Sequence, residues 1–285
     1  MTQIKSILVG LDLSPMDDQL IDYACFLAKT LKVEKVYFTH NVKKYAISEL
    51  FKEQMEDIDL EQVIGDELTE KITERFDADI EWDTLIAEDK YTESLFNFIV
   101  NKYYIDLVII GNKIEYDGTG VLSDKLLRIL KCQLLLVPDE AAKKLDNMWI
   151  GTDFSRTSMK IFHTIENLVD ITKAKVTAAH VYHIPAQFAI YLSEASMKTK
   201  LEKHSNERLD KFVKKLDKAY QINKISIHGQ DSTTAERLVE AAEKNQANLL
   251  VVGDKGSNNI SSLMLGSVTD ELSNLSMKLP LWVIK

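Results

Sequence analysis

The clearest chemistry in this chain lies near its end. Gly253, Gly256, Gly266 and Ser267 stand at the spacing G-x2-G-x9-G-S within LLVVGDKGSNNISSLMLGSVT, residues 249–269. Four apolar residues, Leu249 to Val252, predict a short buried strand, and Gly253 ends it where a side chain would obstruct the turn. Ser267 opens a run, Val268 to Leu275, whose apolar spacing and Ser267-x-x-Asp270 start predict a helix with a capping box. A strand, a glycine-punctuated loop and a helix start bring backbone N–H groups to an anion, because the free donors and positive dipole end of the helix favour phosphate. Glycine at 256 and 266 lets a ligand approach the main chain, and at 266 it also tolerates a positive φ. The plainer alternative is a strand-to-helix connection with turn glycines and a serine cap, since short glycine motifs recur without ligands.

This spacing resembles the nucleotide-binding signature of the ATP-binding branch of the universal stress protein family. The resemblance implies roles residue by residue. Thr152-Asp153-Phe154-Ser155 matches the family's first-strand motif, where the aspartate is implicated in adenosine recognition, and a carboxylate there can accept hydrogen bonds from a base or ribose. Val181, after His180, matches the position whose backbone reads adenine. Gly253 and Gly256 let the loop fold over the phosphates, while Gly266, Ser267, Val268 and Thr269 supply N–H and hydroxyl donors. The implied cofactor is ATP, alone or with Mg2+. Against these roles stand simpler ones: Asp153 as organiser of the following turn, His180 as a satisfied strand-end histidine, Lys255 as a solvated loop lysine.

An internal repeat sets the organisation that must position these residues. Ile7-Leu8-Val9-Gly10-Leu11-Asp12-Leu13-Ser14 returns as Met148-Trp149-Ile150-Gly151-Thr152-Asp153-Phe154-Ser155, and His40 answers His180 while Gly111 answers Gly253. A period of about 140 residues is too long for a solenoid repeat, so each copy is expected to be a complete domain, 1–142 and 143–285, joined by the charged link Asp139–Lys144. The copies are unequal. Ile114 stands where Gly256 would be, Val121 replaces the serine after Gly120, Asn41 replaces Val181, and the first glycine loop is shorter. Gly118-Thr119-Gly120 remains as a candidate anion-holding turn.

Within each copy apolar runs alternate with helical patterns. Strands are predicted at Ile4–Leu11, Lys35–His40, Asp79–Thr84, Leu107–Ile110 and Leu134–Val137, then at Met148–Thr152, Lys175–Val181, Lys224–His228, Leu249–Val252 and Leu281–Ile284. Helices are predicted near Pro15–Leu31, Ser48–Phe76, Tyr91–Tyr103 and Val121–Leu130, then Arg156–Ile171, Gln187–Ala219, Thr233–Asn245 and Ser267–Leu275, with Ser14 as cap and Pro15 at the first helical position of the first. Strict alternation implies an α/β fold with parallel sheets and helices on both faces. The resemblance adds two tandem open five-stranded sheets in the order 3-2-1-4-5. It also implies that the last strands of the two copies pair in an intramolecular pseudo-dimer, which suits otherwise exposed edges; whole chains dimerising further is a separate expectation.

The composition is that of a globular chain, with 45% hydrophobic and 28% charged residues in 285. No apolar run approaches the roughly 20 residues of a membrane span, so no membrane partner and a cytoplasmic location are expected. Residues 1–142 carry 15 basic and 28 acidic residues, a balance of −13, and 143–285 carry 20 and 16, a balance of +4. The half with the glycine loop is the basic one, which suits an anionic ligand there, and no aromatic-interleaved basic stretch points to nucleic acid. The acid-rich stretch Glu53–Glu74 reads as a solvated face. Cys25 and Cys132 read as buried, reduced residues with no metal role. No G-x-x-x-x-G-K-[ST], H-E-x-x-H, G-x-S-x-G or G-x-G-x-x-G occurs. With no catalytic residue evident, the expected function is that of a stress-response regulatory protein that binds an adenine nucleotide, read by a protein partner. The alternatives are a slow ATPase or nucleotide-using enzyme on the same pocket, and a scaffold for a protein or another small ligand.

Overall fold

The structure, a computed structural model, describes residues 4–43, 58–112, 120–185, 194–216, 218, 220–256 and 265–285. The chain forms two compact units that divide between Asp139 and Glu140. The first holds strands β1 (Ser6–Gly10), β2 (Lys35–Asn41), β3 (Glu81–Ala87), β4 (Leu107–Gly111) and β5 (Gln133–Val137), with helices α1 (Met16–Leu31), α2 (Leu60–Arg75), α3 (Thr92–Tyr103) and α4 (Gly120–Ile129). The second holds β6 (Asn147–Gly151), β7 (Lys175–Tyr182), β8 (Ile222–His228), β9 (Leu249–Gly253) and β10 (Leu281–Ile284), with α5 (Arg156–Thr164), α6 (Glu166–Thr172), α7 (Glu194–Leu216), α8 (Thr234–Lys244) and α9 (Ser267–Leu272).

Within the first unit the strands run parallel in the order β3-β2-β1-β4-β5, and within the second β8-β7-β6-β9-β10 repeats it. The central strands are continuous apolar runs. Ile7, Leu8, Val9, Leu107, Val108 and Ile109 of the first sheet, and Met148, Ile150, Leu249, Leu250 and Val251 of the second, have no exposed surface. Parallel strands buried on both faces need helices on both, which explains why these strands do not alternate with polar residues. Helix α1 supplies its share with Leu20, Ile21, Ala24, Leu27, Ala28 and Leu31, a stripe at helical spacing.

Strand one of each unit ends in a glycine with a packing cause. A Cβ on Gly10 would lie 2.5 Å from Phe96 Cζ, and one on Gly151 would lie 2.9 Å from Leu238 Cδ2 and 3.1 Å from Val252 Cγ1. The helix after strand three thus presses directly on the strand end, at the place where the strand order reverses.

Several local expectations change. Ser14 does not cap α1: Pro15 takes that position without a side-chain bond, and Ser14 Oγ accepts from Met16 N at 3.3 Å. The donors of the preceding turn go instead to Asp17, whose carboxylate turns back to accept from Asp12 N and Leu13 N. The single helix expected over Arg156–Ile171 is two, α5 and α6, broken at Ile165 where ψ relaxes to −3°. Ser267 is the first residue of α9, not its cap, so the Ser267-Asp270 capping box does not form; Gly266 is the cap, with its carbonyl accepting from Asp270 N at 2.9 Å. Cys132 is partly exposed, not buried, while Cys25 is buried and its thiol donates to Asp77 Oδ1 at 3.0 Å. The expected helix residues 48–57, 187–193, 217 and 219, and the first-half loop with Ile114 and Gly118-Thr119, lie outside the described residues. Among the described residues no helix is long and apolar enough to cross a membrane.

Candidate functional site

The strand-order reversal of the second unit lies between β6, which continues to β7 on one side, and β9 on the other. At the carboxyl ends of these strands opens a cavity of about 320 Å³. Thr152 and Asp153 enter it from the end of β6, Val181 from β7, and Gly253 and Gly256 from the end of β9 and its loop. Gly266, Ser267, Val268 and Thr269 enter from the start of α9. All nine residues singled out in the sequence therefore line one cavity. Eight others that the sequence did not assign to a ligand also do: Gly151 of β6, Ser158 of α5, Ala179 and His180 of β7, Thr234 and Leu238 of α8, Val252 of β9, and Lys255.

The turn after β6 is tightly built. Thr152 N donates to Ala179 O at 2.9 Å, and Thr152 Oγ1 accepts from Phe154 N at 3.0 Å. Phe154 sits in the left-handed region with φ 66°, a conformation that a bulky residue keeps only when its surroundings hold it. Those surroundings are the His180 ring at 4.2 Å, the Phe212 ring at 5.8 Å and the Arg208 guanidinium over its face at 4.3 Å. Leu13, at the same place in the first unit, has φ 63°, so the device belongs to the repeat.

Asp153 is held by its own helix. Its Oδ1 accepts from Ser158 Oγ at 2.6 Å and from Ser155 N at 3.0 Å, and its Oδ2 faces Gly256, where a Cβ would come within 3.2 Å. The aspartate thus both organises the turn and presents one oxygen across the cavity to the glycine loop. Ser155 caps α5 by accepting from Ser158 N at 3.1 Å.

His180 Nδ1 lies 2.8 Å from Thr152 O, so it carries the proton and donates, because a carbonyl only accepts. Burial pushes its pKa below the usual histidine value, and the bond to Thr152 O opposes that shift. His40 repeats the contact in the first unit, with Nδ1 3.1 Å from Leu11 O. Both histidines tie strand two to the carbonyl before the aspartate, which is a structural role.

At the other side of the cavity the glycines serve close packing. Gly266 has φ −66° and ψ 140°, open to any residue, so no positive φ requires glycine there. A Cβ on it would instead lie 3.3 Å from Gly256 N and 3.4 Å from Asp254 O and Lys255 Cα, all of them backbone. Gly266 N donates to Asp254 O at 2.8 Å, and Thr269 Oγ1 is buried and donates to Gly253 O at 2.6 Å. Neither group is therefore a donor toward the cavity. The donors left by position are the first N–H groups of α9, on Ser267, Val268 and Thr269, which have no acceptor within the helix, together with the exposed Ser267 hydroxyl. Lys255, read as solvated from sequence, lines the cavity. Among the described residues no group of three or more His, Cys, Asp or Glu side chains could hold a metal ion.

The helix residues missed in sequence each look like ordinary helix residues. Ser158 and Thr234 come from the first turns of helices, where a pocket-facing hydroxyl has the same pattern as a cap, and Leu238, one turn further along α8, has the pattern of a core residue. The repeat held one signal: Ser158 answers Asp17, and a change from carboxylate to hydroxyl beneath the turn that both copies share marks a change of charge there.

The description of the Universal stress protein family matches residues 144–285. No curated protein matches the chain. Along its whole length the fold is similar to that of a universal stress protein from Archaeoglobus fulgidus DSM 4304, with a TM-score of 0.66 and 16% identity over 99% of this chain and 97% of that one. It is similar also to a functionally unknown protein from Pseudomonas aeruginosa PAO1, with a TM-score of 0.64 and 14% identity over 99% and 92% of the two chains. A universal stress protein solved in complex with cAMP is 22% identical over 49% of this chain and 97% of that one, with a TM-score of 0.38. The family is matched over the half that carries the cavity, and the doubled fold is matched end to end: this chain belongs to the universal stress protein family and carries two copies of its fold in tandem.

Proposed function

We propose that the second unit binds an adenine nucleotide, ATP, and that the bound state is what a regulatory protein partner recognises. The observation that carries this reading is the meeting of Asp153, Val181 and the glycine loop, from three separate strands, in one cavity at the strand-order reversal. The phosphates lie against the loop Gly253–Gly256 and the first amides of α9, where backbone N–H groups converge. Asp153 accepts from the ribose, and the base lies toward Val181 on the side of β7. A Mg2+ ion accompanying the nucleotide would be held by its phosphates; among the described residues no group of three or more His, Cys, Asp or Glu side chains could hold a metal ion. The ligand acts by stabilising one conformation of the unit, so the partner's affinity depends on it.

Mass spectrometry of the protein purified under native conditions, followed by calorimetric titration with ATP, tests this. A co-purified or titratable adenine nucleotide, lost in Gly266→Val, is the expected result. Protein that neither carries nor binds one would overturn the reading in favour of a scaffold.

A further inference from the structure

Asp254 is the joint of the glycine loop. Its N–H donates to Ile284 O of β10 at 2.9 Å, and its carbonyl accepts from Gly266 N, just before α9, at 2.8 Å. One residue thus ties β10, the loop and the start of α9 together, while Gly253 before it and Lys255 and Gly256 after it line the cavity. Its carboxylate brings a negative charge to the stretch that the nucleotide reading gives to the phosphates. That charge is met by Lys285, the residue after β10, whose Nζ lies 3.9 Å from Asp254 Oδ2. The two side chains are 15% and 14% exposed, so water and salt screen the pair little.

The first unit makes the same joint with neither charge. Asn112 follows β4 as Asp254 follows β9, and its N–H donates to Val137 O of β5 at 2.8 Å. Gly111 pairs with Val137 as Gly253 pairs with Ile284, so Pro138 stands at the place of Lys285. The backbone link between the strand ends therefore needs no ion pair. Acid and base occur together in the second unit and are both replaced in the first, and the unit that has them is the one with the cavity.

We propose that Lys285 is a positioning residue for a polyphosphate ligand: by pairing with Asp254 it cancels the one acidic charge of residues 253–256 and leaves Lys255 to set the sign of the loop. This rests on the nucleotide reading of the cavity. Lys285 acts through Asp254, and its effect is on charge. Without it a mostly buried carboxylate would stand uncompensated within one residue of the cavity lining, where the low dielectric carries its field over several ångströms. That field opposes phosphate groups and leaves an uncharged base and ribose nearly untouched, so Lys285 matters in proportion to the charge of the ligand.

ATP and adenosine share base and ribose and differ in the phosphates, so calorimetric titration of the full chain with each separates charge from fold. Lys285→Met should weaken ATP binding about tenfold, the size of one uncompensated charge near the phosphates, and keep adenosine within about twofold. Lys285→Arg should keep both. The double variant Asp254→Asn with Lys285→Met carries neither charge and should recover most of the lost ATP affinity. ATP and adenosine weakened alike by Lys285→Met, ATP unaffected by it, or a double variant as weak as the single one overturns the proposal. The double variant is read with ATP alone, so it decides the matter where adenosine binds too weakly to measure. If Lys285→Met does not fold, Asp254→Asn decides it: ATP should bind at least as tightly as to the wild type, and weaker binding overturns the proposal. Wild-type protein that binds neither ligand overturns the nucleotide reading and this inference together, whereas ATP binding indifferent to Lys285→Met overturns this inference alone.

Discussion

Ser158 Oγ donates to Asp153 Oδ1 at 2.6 Å and accepts from Asp153 N at 3.3 Å, so one hydroxyl fixes both ends of the aspartate that faces the cavity. In the first unit the same work falls to a carboxylate. Asp17 Oδ1 accepts from Asp12 N at 3.0 Å and Oδ2 from Leu13 N at 2.8 Å, and Asp17 has no exposed surface. The two solutions are equivalent for the turn and opposite for a ligand, because one adds a buried negative charge beneath the cavity floor.

The first prediction follows from that hydroxyl. Ser158→Ala removes the bond that aims Asp153 and should weaken ATP binding roughly fivefold, about 1 kcal/mol for one hydrogen bond. Ser158→Asp imitates the first unit and should weaken it much further, through repulsion of Asp153 and of the phosphates. Titration calorimetry reads both; equal losses in the two variants would show that charge at this position is irrelevant.

Gly266→Val should abolish ATP binding while the second unit stays folded. The valine Cβ would press on Gly256 N, Asp254 O and Lys255 Cα, displacing the stretch that forms the phosphate side of the cavity. Gly266→Ala adds only the Cβ, at 3.3–3.4 Å from those atoms, and should cost less. Circular dichroism with calorimetry distinguishes a lost site from a lost fold. Unchanged affinity in the valine variant would remove the loop from the site.

How far the sequence went is visible in these two residues. The glycines and Asp153 were legible because their spacing survives in one strand-loop-helix stretch and in the repeat of the strand-one motif. The reason for Gly266 was not, because backbone approach across nine intervening residues has no signature at the glycine itself. Strands were placed within a few residues because buried parallel strands are unbroken apolar runs. The break at Ile165 was invisible, since a single relaxed ψ leaves the apolar spacing of α5 and α6 continuous. Thr269 was assigned to the ligand as a hydroxyl, yet it is spent on Gly253 O; sequence fixes which residues meet, not which of their bonds are already made.

Asp17 makes the first unit sensitive to pH. Burial raises its pKa above the ordinary 3.8, the bonds from the Asp12 and Leu13 amides opposing and the Asp12 charge adding to the rise. With the folded value above the unfolded one, the folded state binds the proton more tightly, so the contribution to stability is fully present below about pH 3.8 and is lost as pH rises through the folded pKa. Asp17→Asn cannot ionise and keeps an acceptor for one of the two amides. Its stability relative to wild type should therefore increase from pH 4 toward pH 7 in urea unfolding experiments. A relative stability that is flat or falls with pH would mean that Asp17 is not the group responsible.

The unequal floors and walls of the two units predict the stoichiometry. In the first unit the Asn41 side chain donates to Asp89 O at 3.0 Å and to Thr92 Oγ1 at 2.8 Å, and accepts from Asp89 N at 2.9 Å, so strand two is tied to the helix start where the second unit has Val181 and an open cavity. Asp17 places its carboxyl beneath Asp12 where the second unit has Ser158, and residues 1–142 carry a balance of −13, which opposes a polyphosphate before any contact forms. Opening that wall would leave Asn41 and Asp89 without the bonds they now make to each other, and the ligand would still meet an acidic floor. One ATP per chain is therefore expected, bound in the second unit. Equilibrium dialysis of the intact protein should saturate at one equivalent, and Gly266→Val should bring it to zero. Asn41→Val with Asp17→Ser should raise the first unit's affinity from an undetectable level, if these two residues are what closes it. Two equal sites in the wild type, or a single site that survives Gly266→Val, would show that the first unit binds the nucleotide as well as or instead of the second.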